Sequence, residues 1–370
     1  MAHQAAQVPQ APDGGPAEAA LSSFDSGPCE AATFPAPDEA ASFTSQVRRL
    51  PRHTYGAIDL GTNNCRLLVA RPAESGFTVV DAFSRVVRLG EGLGTSGRIS
   101  QEAMDRAVAA LAVCGEKLRR RRVSLARSVA TEACRRAVNG RDFVERVRQE
   151  TGIALEIISP EEEARLAMLG CHRLLEPGDG PALIFDIGGG STELVLIDTD
   201  GETPSIRCWW SAPWGVASLT ESEGTVFNDA DERRAAYGRM RERVRHAFRR
   251  FQELLPKNKA NIRLMGTSGT VTTLASVYLA LPAYDRKAID GLMVPSHAMR
   301  EISQLLSVAT HSERAKFPCI GHERADLVVA GCAILEAIFD IWPTERLGIA
   351  DRGIREGILR SLMARDGYQI

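Results

Sequence analysis

Two runs 127 residues apart, Ala57-Ile-Asp-Leu-Gly-Thr62 and Ile184-Phe-Asp-Ile-Gly-Gly189, share one plan: an apolar strand ending in Asp, then Gly, then a polar turn. Each opens a similar string of elements. In the first, residues 55–60 read as a buried strand, 61–64 as a tight turn, and 65–70 and 77–89 as further strands. Ser100 caps a helix whose apolar face carries Met104, Ala107, Val108, Leu111, Gly115 and Leu118. A strand over 124–130, a helix over 141–150, a strand over 155–159 and a helix over 160–169 complete that unit. The second unit begins at Pro181 with a strand over 182–186, a turn over 187–191 and a return strand over 193–197. A long amphipathic helix over 231–255, a strand over 262–265 and mostly helices follow. Two like units predict a duplicated α/β fold with a cleft between the halves.

The expected organisation is a disordered Ala/Pro-rich tail over 1–53, a first domain over 54–167 and a second over 168–370. Ala, Pro, Ser and Gly fill 26 of the first 50 positions, so this segment cannot bury enough apolar surface to offset its ordering entropy. The tail holds six acids against two bases, leaving +2 on the other 320 residues of a chain whose net charge is -2. No nucleic-acid partner is expected from so small a charge, and any anion site is local. Eight cysteines show neither CxxC pairs nor zinc spacing with His, which points to reduced thiols in the cytoplasm. No basic-then-apolar leader opens the sequence, and Asp326, Glu336 and Asp340 interrupt the most apolar long stretch, so no membrane contact is expected.

Chemistry is expected at the two glycine turns. A glycine-rich turn after a strand lets backbone N–H groups approach a phosphate with no Cβ in the way. Gly188, Gly189, Gly190, Ser191 and Thr192 offer this with hydroxyls added, and Gly61, Thr62 and Asn63 offer it from the first half. A third turn containing Gly266 and Ser268 adds a helix N-terminus. Asp59 and Asp186 each close an apolar strand where a phosphate turn begins. Carboxylates there repel phosphate unless a cation intervenes, which points to Mg²⁺ on Asp59, Asp186 and Glu193, directly or through water. A hydrolase also needs a carboxylate to orient water and take its proton. Glu161, Glu162 and Glu163 are the candidates, and spacing does not choose among them. Arg135, just past the strand over 124–130, is a candidate phosphate clamp. Arg119 to Arg122 read as the solvated end of a helix.

Taken together, these blocks resemble the exopolyphosphatase / guanosine pentaphosphate phosphohydrolase (Ppx/GppA) family, within the actin-like ATPase and sugar-kinase superfamily. They are Ala57-Ile-Asp-Leu-Gly-Thr-Asn63, Arg88-Leu-Gly-Glu-Gly-Leu93, Val129-Ala-Thr-Glu-Ala-Cys-Arg135, Ile157-Ile-Ser-Pro-Glu-Glu-Glu-Ala-Arg165, Phe185-Asp-Ile-Gly-Gly-Gly-Ser-Thr-Glu193, Gly266-Thr-Ser-Gly-Thr270, Glu323-Arg-Ala-Asp-Leu327 and Gly353-Ile-Arg-Glu-Gly357. The resemblance implies duplicated ribonuclease-H-like domains around a central cleft. It implies Mg²⁺-dependent release of terminal orthophosphate from polyphosphate, or conversion of pppGpp to ppGpp, by a homodimer. It assigns Glu163 as the water-activating base, Asp186 as metal ligand with Glu193 assisting, and Gly188, Ser191, Asn63 and Arg135 as phosphate contacts. Asn64 departs from the usual Ser and Pro160 from the usual Gly. No His-Asp dipeptide occurs, so the C-terminal His-Asp-type helical domains of longer members have no counterpart, and shorter chains or a nucleotide are the expected substrates. Two rivals are an ATP-dependent small-molecule kinase, which needs an adenine pocket beside residues 266–271, and a non-catalytic alarmone or polyphosphate sensor, against which the Glu163–Asp186 pair counts.

Overall fold

The apolar run Tyr55-Gly-Ala-Ile-Asp-Leu60 becomes the central strand of a five-stranded sheet. A computed structural model describes residues 53–368 except 75, 177, 179, 200–203 and 256–262. The expected tail, apart from His53, therefore lies outside the described residues. Strand β1 (Tyr55–Leu60) pairs antiparallel with β2 (Asn64–Ala73), and β2 with β3 (Gly76–Val86). The short α1 (Leu93–Ser96) and long α2 (Gln101–Arg120) lead to β4 (Leu125–Ala130), parallel to β1 on its other side. Next come α3 (Glu132–Arg136), α4 (Gly140–Thr151) and β5 (Leu155–Ile157), which is parallel to β4. Helix α5 (Pro160–Cys171) then leaves the sheet.

The second half repeats the plan. Strands β6 (Ala182–Ile187), β7 (Thr192–Asp198) and β8 (Ser205–Ala212) are antiparallel neighbours. Helices α6 (Val216–Glu223) and α7 (Ala230–Leu254) return the chain to β9 (Arg263–Thr267), parallel to β6. There follow α8 (Gly269–Tyr278), α9 (Arg286–Ile289), β10 (Met293–Pro295), α10 (Ser296–Val308), α11 (His311–Ala315), α12 (Gly321–Arg324) and α13 (Leu327–Ile341). Strand β11 (Arg346–Ala350) is parallel to β9 and carries β10 on its outer edge, and α14 (Ile354–Arg365) ends the series. The strand orders β3-β2-β1-β4-β5 and β8-β7-β6-β9-β11-β10 match once β10 is set aside. In each half, three antiparallel strands continue into two parallel ones, the duplicated ribonuclease-H-like arrangement.

Three differences from the sequence reading have local causes. Strand β3 stops at Val86 because Arg88 turns with φ 47°, and the amides of Val87 and Arg88 donate to the Asn63 carbonyl. Strands β8 and β11 were not foreseen; β8 is half-exposed and β11 is five residues long, so neither carries a strong period. Ser100 caps α2 as expected, its hydroxyl accepting from the Ala103 amide.

Helix α5 joins the halves. Leu166 and Ala167 pack with Tyr55, Leu68 and Val129 of the first sheet and with Ile358 and Leu359 of α14. Ala164, Met168 and Cys171 pack with Ala182, Ile184, Val195 and Met265 of the second. Helices α5 and α14 cross at glycines: a Cβ on Gly357 would lie 2.0 Å from the Leu166 oxygen, and one on Gly170 2.1 Å from the Gly353 oxygen. The seven described cysteines are free thiols, and among the described residues no helix is long and apolar enough to cross a membrane.

Candidate active site

The pairing of β1 with β2 and of β6 with β7 sets both glycine turns at corresponding sheet ends, and the two turns meet. The Gly61 and Gly188 amides each close their turn by donating a hydrogen bond, 2.9 Å, to the carbonyl three residues on. The space between the turns excludes side chains. A Cβ on Gly189 would lie 3.0 Å from Thr62 Cβ and 3.1 Å from the Asn63 nitrogen, and one on Gly190 only 1.9 Å from Glu132 Oε2. The first amides of α6 fix the second turn from behind, with Val216 donating to the Gly188 carbonyl and Ala217 to that of Gly189.

Both turns line a cavity of about 590 Å³. Of the expected site residues, Asp59, Gly61, Thr62, Asn63, Glu163, Asp186, Gly188, Gly189, Gly190, Ser191, Glu193 and Ser268 line it. Ser268 caps α8 at φ 115°, a conformation that strains a residue with a side chain and holds it at the wall of the site. Three expected residues lie elsewhere. Thr192 is buried, its hydroxyl donating to the Trp214 carbonyl at 2.7 Å. Gly266 sits inside β9, where a Cβ would meet the Phe185 ring at 2.5 Å, so packing accounts for the glycine. Arg135 faces Glu163 instead of the cavity: its Nη1 donates to Glu163 Oε2 at 3.1 Å and to the Ile158 carbonyl at 2.8 Å.

Of the three acids in the first turn of α5, Glu163 alone is buried and lines the cavity. Glu162 is held outside by Arg127 and Arg165. Burial, then the charges of Glu193 and Asp59, push the Glu163 carboxyl well above the ordinary glutamate range, against the pull of Arg135. Burial and Glu193 likewise raise Asp186 to about 7, and burial raises Asp59 and Glu193. Four carboxylates are gathered round the two glycine turns, and repulsion among them adds to burial in raising Glu163 and Asp186. Asp59 Oδ1 is buried without a hydrogen-bond partner, while Glu193 Oε1 accepts from the Ser191 and Ser211 hydroxyls. Among the described residues no three such groups converge into a complete cage. This donor set fits Mg²⁺, which takes one or two carboxylates and completes its shell with water and phosphate oxygens.

Cations line the rest of the cavity from places where spacing gave no signal: Arg66 on β2, Arg286 on α9, Arg324 on α12, and Arg352 and Arg355 around the start of α14. The carboxylate of Glu356, 1% exposed, holds that last loop by accepting from Arg286 Nη2 at 2.8 Å and the Gly353 amide at 3.0 Å. None of Arg119 to Arg122 lines the cavity, and Arg121 donates to Asp81.

The Ppx/GppA phosphatase family matches this chain over residues 68–366. Exopolyphosphatase 2 of Mycobacterium tuberculosis is 32% identical over 323 residues, which cover 83% of this chain and 97% of that protein. The crystal structure of an Aquifex aeolicus member of the Ppx/GppA family superposes with a TM-score of 0.71 at 26% identity, covering 86% of this chain and 100% of that one. An exopolyphosphatase structure from Cytophaga hutchinsonii shares the fold with a TM-score of 0.74 at 24% identity, covering 86% of this chain and 99% of that one.

Proposed function

The chain belongs to the Ppx/GppA phosphatase family, and on that premise we propose that it hydrolyses the terminal phosphoanhydride of inorganic polyphosphate and releases orthophosphate. The observation that carries this reading is the meeting of two glycine turns, distant in sequence, at a cavity lined by the buried Glu163, by further carboxylates and by several arginines.

In this mechanism the terminal phosphoryl group lies at the turns, where backbone N–H groups are its donors. Glu163 accepts a proton from water as the water oxygen bonds to phosphorus. The bond from phosphorus to the bridging oxygen breaks, and the shortened chain leaves with that electron pair. Arg135 fixes the direction of the Glu163 carboxylate, while Arg66, Arg352 and Arg355 attract the anionic chain. Catalysis here is positioning and charge stabilisation, as phosphoryl transfer demands. Asp59 and Asp186, with Glu193 behind, would hold a Mg²⁺ ion, which when bound supplies the positive charge the phosphoryl oxygens require.

Conversion of pppGpp to ppGpp is a second reading. It is favoured by an apolar wall of Tyr284, Pro318, Ile320, Leu327 and Val328 along the same cavity, suited to a base. Phosphate release from long polyphosphate, short polyphosphate and pppGpp, each with and without Mg²⁺ and with no acceptor added, separates these readings. Turnover of ATP only in the presence of a small-molecule acceptor would replace both with a kinase, and binding without turnover would replace them with a sensor.

A further inference from the structure

Among the cavity-lining acids, Glu132 has no part in the mechanism above, and its surroundings are specific. It is the first residue of α3, directly after β4. Because β4 runs parallel to β1, with Ala130 beside Leu60, Glu132 stands next to the turn that follows β1. It is 5% exposed, and a charge so buried needs partners. Arg136, one helical turn on, supplies one, its Nη1 donating to Oε1 at 2.7 Å. The other oxygen, Oε2, accepts from the Thr62 hydroxyl at 3.0 Å.

That second bond decides what Thr62 does. A threonine hydroxyl has one proton, and here it goes to Glu132. Ionised phosphate oxygens accept and do not donate, so the Thr62 side chain has no proton left to give them. Thr62 instead acts as a strut. Its methyl would lie 2.3 Å from a Cβ on Gly90, its carbonyl accepts from the Gly90 amide, and its Cβ bears on Gly189 of the opposite turn. Glu132 Oε2 abuts Gly190 in the same way. The carboxylate therefore touches both turns, and Arg135 on the same short helix holds Glu163.

We propose that Glu132 is a positioning residue that braces the first phosphate turn, through Thr62, against Gly189 and Gly190 of the second, and so sets the grip on the reacting phosphoryl group. This rests on the phosphohydrolase reading. The test is phosphate release from polyphosphate by the full chain, with kcat and KM separated, a pH profile, and thermal melts of every variant. Glu132→Ala is expected to lower kcat roughly 10- to 100-fold, as misplacement by about 1 Å does, with KM changed less than about threefold. Glu132→Gln, whose amide oxygen still accepts from Thr62, is expected to recover most of that loss. Thr62→Val should match Glu132→Ala, and the double variant should be no worse than either, because both cut one link. The shape of the pH profile should not change.

Equal losses in the Gln and Ala variants together with a vanished acid limb would make Glu132 a proton carrier and overturn the proposal. So would additive losses in the double variant, or a loss fully explained by a smaller folded fraction. Wild-type turnover in Glu132→Ala would overturn it as well. No phosphate release by the unmodified chain would sink the phosphohydrolase reading itself, which is a distinguishable result.

Discussion

Replacing Gly357 by alanine tests whether the crossing of α5 and α14 sets the geometry of the site from a distance. The new Cβ would lie 2.0 Å from the Leu166 carbonyl oxygen, against about 3.4 Å for ordinary contact, so the helices must separate by up to about 1.4 Å. The obstruction is helix backbone and cannot rotate aside. Overpacking costs typically 1–3 kcal/mol, and the upper end applies here. Alanine returns about 1 kcal/mol of helix propensity, which leaves a net loss of about 2 kcal/mol. For a domain of this size that lowers Tm by roughly 4–8 °C. The functional effect is separate. Leu166 lies three residues after Glu163 on α5, and the loop ending at Gly353 lines the cavity at the start of α14. Moving one helix against the other therefore shifts Glu163, the proposed general base, relative to the cavity wall, and about 1 Å of misplacement is worth on the order of 10²-fold in rate. The assay is phosphate release from polyphosphate at a temperature well below the variant's melting transition, beside a calorimetric melt. A variant with unchanged Tm and unchanged kcat would refute the view that this crossing fixes the site.

Three further outcomes are expected. A base works deprotonated, so activity should rise with pH through the raised pKa of Glu163 and be lost below it, with the acid limb above the ordinary glutamate value of about 4.3; Arg135→Gln should move that limb further up, as a kcat/KM profile would show. Asp81, bonded to Lys117 and Arg121 at 2.8 Å each, is held down at about 2, so its stabilisation is present above the unfolded value near 3.9 and lost as pH falls through about 2. Denaturant titrations of Asp81→Asn should show a loss of about 1 kcal/mol at neutral pH, which shrinks as pH falls through about 2. Asp186→Asn should raise the Mg²⁺ concentration for half-maximal phosphate release by roughly tenfold or more, since Mg²⁺ depends on its few carboxylate ligands; an unchanged Mg²⁺ dependence would remove Asp186 from the cation site.

What the sequence made legible follows from how local each signal was. The runs at 57–62 and 184–189 name both turns and both aspartates, because an apolar strand with a carboxylate two residues before a glycine has few structural uses. The repeat also implied the duplicated fold, whose matching strand orders the structure shows. Glu163 was singled out by resemblance, since burial, which separates it from Glu161 and Glu162, depends on which face of α5 meets the cavity. Gly266 shows the converse, a glycine in a suggestive motif whose nearest neighbour is the Phe185 ring. The arginines at 66, 286 and 352 left no pattern, because separate parts of the chain bring them together with Arg324 and Arg355, which lie inside two of the resembling blocks. Glu132 sits in the Val129–Arg135 block without a role to read: its partners Thr62 and Gly190 become neighbours only when β4 lies beside β1 and the two halves meet.

The most direct measurement is turnover of polyphosphate by Glu163→Gln beside the unmodified chain, with substrate binding followed in parallel. A glutamine keeps the shape of the side chain but cannot take the proton of the attacking water. The expected result is a fall in kcat of roughly 10²–10⁴-fold with binding retained. Full turnover in that variant would contradict the account at its centre.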